Sequence, residues 1–130
     1  MAIESINRWI WITFQKTGIH CYPDAAINPK LADVSFLGFE HRHLFKFKVM
    51  VEVAHNDRDL EFLTELLYME SLYERGVLVF NHKSCEMLAE ELLLILSKRY
   101  EGKRDLSVEV SEDGENGCLL ELAKSQALQK

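Results

Sequence analysis

Two histidines one residue apart, His41 and His43, open a run that otherwise has the pattern of a buried strand. In "HRHLFKFKVMVEV", Phe45, Phe47, Val49, Val51 and Val53 alternate with Lys46, Lys48, Met50 and Glu52. Residues two apart on a strand share a face, so the apolar row extends back through His43 and His41. An imidazole at the head of an apolar row needs a partner, because an unpaired buried polar group is costly. A metal ion shared by the two rings is one such partner. Ordinary histidines at a strand edge are the competing reading of the same spacing. Arg42, between them, points to the other face.

The remaining reactive side chains are scattered. Cys21, Cys85 and Cys118 are odd in number and widely spaced, which favours a reducing cytoplasm without a disulfide framework. Cys85 falls on a helix stripe and Cys118 starts a strand, so both are read as packing. Cys21 adjoins His20, and strand neighbours face opposite ways, so it is read as a free buried thiol. His55 with Asp57 and Asp59 is explained by a polar turn and helix cap rather than by a second metal cluster.

Several elements must position these groups. "RWIWITFQK", residues 8–16, is the first strand. A loop of about twenty residues follows, with Gly18, Pro23 and Pro29, a length that is usually functional or disordered. The second strand covers residues 40–55. Asp57 is expected to cap a helix over residues 59–73, with Asp59 and Glu61 in its first turn and Gly76 ending it. "VLVF" is a short extended piece. "SCEMLAEELLLILSKRY" is a second helix whose buried stripe is Cys85, Leu88, Leu92, Ile95 and Leu96. "LSVEVSED", a "GENG" turn and "CLLELA" form a closing hairpin, and "KSQALQK" is expected to fray. The order β-β-α-α-β-β predicts an α+β two-layer fold, a four-stranded antiparallel sheet with two helices on one face. The helices would cover the Phe45/Val49 face. The Lys46/Lys48/Glu52 face would meet water or another subunit.

The chain has 130 residues and suits one domain, residues 1–130 with a core of about 8–122. Its formal net charge is -6 and no Lys/Arg block exceeds two residues, which argues against a nucleic-acid backbone binder. No apolar run reaches membrane-spanning length. The start, with Glu4, lacks the basic segment of a signal peptide. A cytoplasmic location is expected.

In order and spacing the chain resembles the tunnelling-fold superfamily of 6-pyruvoyl-tetrahydropterin synthase and 6-carboxytetrahydropterin synthase. That family places a His at the end of strand one and His-x-His at the opening of strand two, and "TGIHCY" and "HRH" match. "DLEFLTELL" is similar to its first-helix segment, with Glu61 where Asp is usual. "SCEMLAEEL", residues 84–89 above all, fits the start of its second helix, and "VEVSED" puts Glu112 at the end of its third strand. The likeness spans roughly residues 8–121.

The resemblance implies that His20, His41 and His43 bind zinc, three imidazoles leaving a fourth position for water or substrate. It implies that Glu112 anchors a pterin ring, a carboxylate being a bidentate match for two N–H donors; a solvated Glu at a hairpin start is the alternative. His82 is the candidate catalytic base. The departures are specific: Leu37 stands where the active enzymes have a catalytic Cys, Arg42 where Gly is usual, and Asn81 where an Asp partners the His. The implied function is a zinc-dependent synthase or lyase acting on dihydroneopterin triphosphate or a related pterin. The alternatives are a non-catalytic binder of a purine- or pterin-like ligand on the same scaffold, and a structural or protein-interaction module with vestigial histidines. The family's assembly implies a homo-oligomer, in particular a hexamer, which would also cover exposed sheet edges.

Overall fold

Alternation decides the central strand. In β2, His41–Glu52, the side chains of Phe45, Phe47, Val49 and Val51 are at most 1 % exposed, while Arg42 and Lys46 on the other face are open to solvent. A computed structural model describes residues 5–125 of the chain. β2 pairs antiparallel on one side with β1, Trp9–His20, and on the other with β4, Leu106–Glu112, which pairs in turn with β5, Asn116–Leu122. Two helices lie on the apolar face. α1, Phe62–Ser71, rests on β1, and α2, Cys85–Arg99, lies across β4 and β5. The core between the layers holds Phe45, Phe47, Met69, Leu88, Leu92 and Val108, all buried. Truncating a buried Phe such as Phe45 to Ala would cost about 3–5 kcal/mol.

The α+β class stands, but the sheet does not have four antiparallel strands. "VLVF" is part of a fifth strand, β3, Leu78–Asn81, which runs parallel to β1, so the order is β3-β1-β2-β4-β5 in a mixed sheet. Leu78 and Phe80 turn inward, and Phe80 packs edge-on against Phe45 at 5.1 Å. Glycine at position 18 makes this possible, because a Cβ there would lie 2.4 Å from the Phe80 ring. A parallel partner is not signalled by any turn, and four residues carry too short a pattern to announce one.

Other boundaries shift for identifiable reasons. β1 runs four residues beyond the expected end, because residues 17–20 pair with β2 and residues 18–20 with β3 as well. The connection 21–40 folds into short 3-10 turns at Pro23–Ala26 and Pro29–Gly38. α1 starts at Phe62, capped by Glu61 rather than Asp57, and Asp59, expected in its first turn, lies before it, held by Arg104 at 2.8 Å and by the Ala54 amide at 2.7 Å. It ends at Ser71, and Gly76 serves a later turn at φ +83°. On α2, Ser84 caps the Met87 amide, and the stripe includes Ala89 and Leu93 while Ile95 is exposed. The closing hairpin turns at Asp113-Gly114, both with positive φ, two residues earlier than the "GENG" reading. That is the backbone a type I′ turn demands. Lys124 is tied to Asp105 and Glu52; the rest of the expected frayed tail, from Gln126 on, lies outside the described residues. Among the described residues no helix is long and apolar enough to cross a membrane.

Candidate metal centre

The pairing of β1 with β2 brings the histidines together. His20, the last residue of β1, sits directly opposite His41, the first of β2, and His43 lies opposite Gly18. Residues that face each other across a ladder share a side of the sheet, and so do residues two apart. All three imidazoles therefore gather on the helix-covered side at one end of the sheet. Their ring centroids are 4.6, 5.0 and 5.5 Å apart, and the planes cross at 71–85°. Phe45, next on the same row, closes the floor edge-on to His20 at 5.0 Å.

Each ring is held by its Nδ1. That atom of His20 donates to the Lys83 carbonyl at 2.8 Å, and that of His41 to the Phe39 carbonyl at 2.8 Å. In His43 it donates to the Asp113 carboxylate at 2.7 Å. Carbonyls and carboxylates only accept, so Nδ1 carries the proton in all three rings. In the neutral ring Nε2 is then left with a bare lone pair, the tautomer that ligates a metal. Asp113 is itself fixed, its other oxygen accepting the Leu44 amide at 2.9 Å. That amide, and then the His43 ring, hold its carboxyl below the usual carboxylate range.

Glu112 joins the group. As the last residue of β4 it pairs with Phe45 and shares its face. Its Oε2 lies 2.9 Å from His20 Nε2 and 3.8 Å from His43 Nε2. His20 is buried, and its Nε2 has no hydrogen-bond partner despite that short approach. With Nδ1 protonated, the bare Nε2 and a carboxylate oxygen crowd each other at 2.9 Å, and a cation held beside both would satisfy them. The ligand atoms of His20, His41, His43 and Glu112 all lie within 4.8 Å of one another. Tetrahedral zinc spaces its donors about 3.3 Å apart, so the widest pairs of the set would have to close by up to about 1.5 Å around an ion. These four residues could hold a metal ion.

A cleft of about 540 Å³ opens beside them, lined by His20, Cys21, Leu37, His41, His82 and Glu112 and by the start of α2. His82, the candidate base, is exposed on its wall and outside the cluster. Leu37 is in that wall too, so the position where a nucleophilic Cys is expected borders the cleft and carries an inert side chain. Cys85 also lines it, but burial, with Glu112 nearby, pushes its thiol up to about 12. Cys21 is half-buried and free. His55, Asp57 and Asp59 form a turn, with Asp59 committed to Arg104, and they make no metal group among the described residues.

Sequence reasoning located the three histidines and Glu112 but missed what orients them. The Lys83 and Phe39 carbonyls leave no trace in a sequence, since every residue has one. Asp113 was legible only as a neighbour of Glu112. The fold and site together define an α+β protein with a candidate His3Glu metal centre beside an open cleft. No family model and no curated protein matches the chain.

Proposed function

We propose that this is a zinc-binding protein of the pterin-synthase type, which takes dihydroneopterin triphosphate or a related pterin into the cleft beside the metal centre. The observation that carries the proposal is the set of three imidazoles tethered at Nδ1 and free at Nε2, with a carboxylate oxygen against two of them. Imidazole and carboxylate in a four-donor set suit zinc. When bound, the ion would polarise a carbonyl or hydroxyl of the ligand. His82 is the imidazole on the cleft wall suited to moving a proton. His20, His41 and Glu112 border the cleft, so a ligand there lies against the centre.

A second reading, a non-catalytic binder of a pterin- or purine-like ligand, is favoured by Leu37 in the cleft wall and by Asn81 where an Asp would partner the base. One experiment separates them. Protein purified without a His-tag or chelator is expected to carry about one zinc per chain by elemental mass spectrometry. Incubation with dihydroneopterin triphosphate then gives turnover for the enzyme, or tight binding without turnover for the binder. No metal, even after zinc is added, sinks both.

The assembly we propose is a homo-oligomer, a hexamer in particular. The free edges of β3 and β5, with Trp11 on the open face and Leu67 on α1 both more than 60 % exposed, support it. Light scattering that reports a monomer at working concentration would refute it.

A further inference from the structure

We infer that Glu112 is the fourth protein ligand of the metal centre, so that the resting site is closed and an incoming ligand reaches the ion only by displacing this carboxylate. The inference rests on the metal-binding reading above and adds to it a rule of access. Zinc sites with four protein ligands are closed, whereas catalytic ones keep a position open. Three histidines alone would leave that position free.

Geometry places the carboxylate in it. Glu112 Oε2 is 2.9 Å from His20 Nε2 and 3.8 Å from His43 Nε2. These values bracket the separation of about 3.3 Å between neighbouring donors around tetrahedral zinc. The backbone of Glu112 is fixed on both sides, paired with Phe45 in β2 and with Asn116 in β5. Asp113 straps the next residue to β2 through Leu44 and His43. Only the side chain is free to move. It is 31 % exposed and borders the cleft, so a ligand arriving there meets Glu112 before it meets the ion.

The simpler role for Glu112 is a counter-ion to a protonated His20. That pairing would need an Nε2–H aimed at the carboxylate. The buried Nε2 makes no hydrogen bond even at 2.9 Å, so the nitrogen and oxygen do not line up for one. An ion lying off the line between them satisfies both lone pairs, as ligand pairs around a tetrahedral centre do.

The test is cobalt(II) loading of the full chain, read by visible absorption, with azide as the probe of an open position. Parent protein is expected to give a four-coordinate spectrum that azide leaves unchanged. Glu112→Ala is expected to bind cobalt roughly tenfold or more weakly and to shift its spectrum when azide is added. Glu112→Gln, which keeps the side-chain shape, should also respond to azide and guards against a folding defect in the Ala variant. A parent spectrum as sensitive to azide as that of the variants overturns the inference and leaves the metal reading standing. So does a Glu112→Gln protein that holds cobalt as tightly as the parent with the same spectrum. A parent that binds neither cobalt nor zinc overturns the metal reading itself, and this inference with it.

Discussion

The two ends of β2 carry polar clusters of opposite character. At its far end, Glu65 on α1 is buried, yet it accepts two bonds from Arg99 at 2.9 and 3.0 Å and a third from the Tyr100 hydroxyl. Arg99 stacks over the Tyr68 ring at 3.7 Å. Beside it, Arg104 joins the Glu52 carbonyl at the end of β2 to Asp59. Burial pushes the Glu65 carboxyl up, but the bonds from Arg99 and Tyr100 outweigh it and the net shift is down. Charge is matched by charge and donors meet acceptors. At the near end, three imidazoles and a carboxylate turn lone pairs toward one another, and a buried nitrogen is left without a partner. The first cluster is complete as it stands and serves stability. The second leaves a buried nitrogen unsatisfied that a cation would satisfy, which makes it the candidate site.

The comparison can be broken most sharply at the near end. His41→Ala with His43→Ala is expected to abolish metal retention by elemental analysis while leaving the urea midpoint of the metal-free protein nearly unchanged. Zinc at a thousandfold excess over its Kd should stabilise the parent by about 4 kcal/mol and leave the double variant unmoved. A double variant that keeps zinc as tightly as the parent would erase the distinction between the two clusters.

At the far end the expected pattern is reversed. Glu65→Ala should cost about 2–3 kcal/mol in urea unfolding, somewhat below the 3–5 of a fully buried broken pair because Arg99 retains some contact with water. Metal affinity should not change. A loss of zinc binding in this variant would mean that the two clusters are coupled through the sheet.

A smaller effect is expected at Asp113, which orients His43. Asp113→Ala should weaken zinc roughly 10- to 100-fold, with Asp113→Asn recovering part of the loss through its carbonyl oxygen. An affinity equal to the parent's in both would show that the Leu44 contact alone is what Asp113 provides.

The smallest expected effect is on pH dependence. The Arg104 bonds and the Ala54 amide hold the Asp59 carboxyl at about 2, against 3.8 ordinarily. Its folded value is depressed, so its contribution is present in full above about pH 4 and is lost as pH falls toward 2. Asp59→Asn should therefore cost about 1 kcal/mol at pH 7, and the difference from the parent should vanish near pH 2. A gap that persists at pH 2 would assign the effect to packing rather than charge.

Local pattern determined much of this protein. Period two wrote β2 and put His41 and His43 on its inner face before any contact was known. The Ser84 cap and the helical spacing of Leu88, Leu92 and Leu96 wrote α2. Those signals depend on neighbours in the chain, so the chain itself carries them. The sequence starts α1 too early because Asp57 looks like its cap and Asp59 like a first-turn acid, whereas Asp59 is claimed by Arg104 from 45 residues away and Glu61 caps the helix instead. The fifth strand was legible as an extended piece but not as a member of the sheet, because parallel pairing is made at a distance and needs no turn. The site divides the same way. The sequence supplies the donors, while the tertiary structure supplies their aim. The Lys83 carbonyl behind His20 comes with β3, and Asp113 behind His43 and Glu112 against His20 come with the β2–β4 register. Residue type sets which atoms can bind a cation, but only long-range hydrogen bonding sets which lone pairs are bare and which way they point.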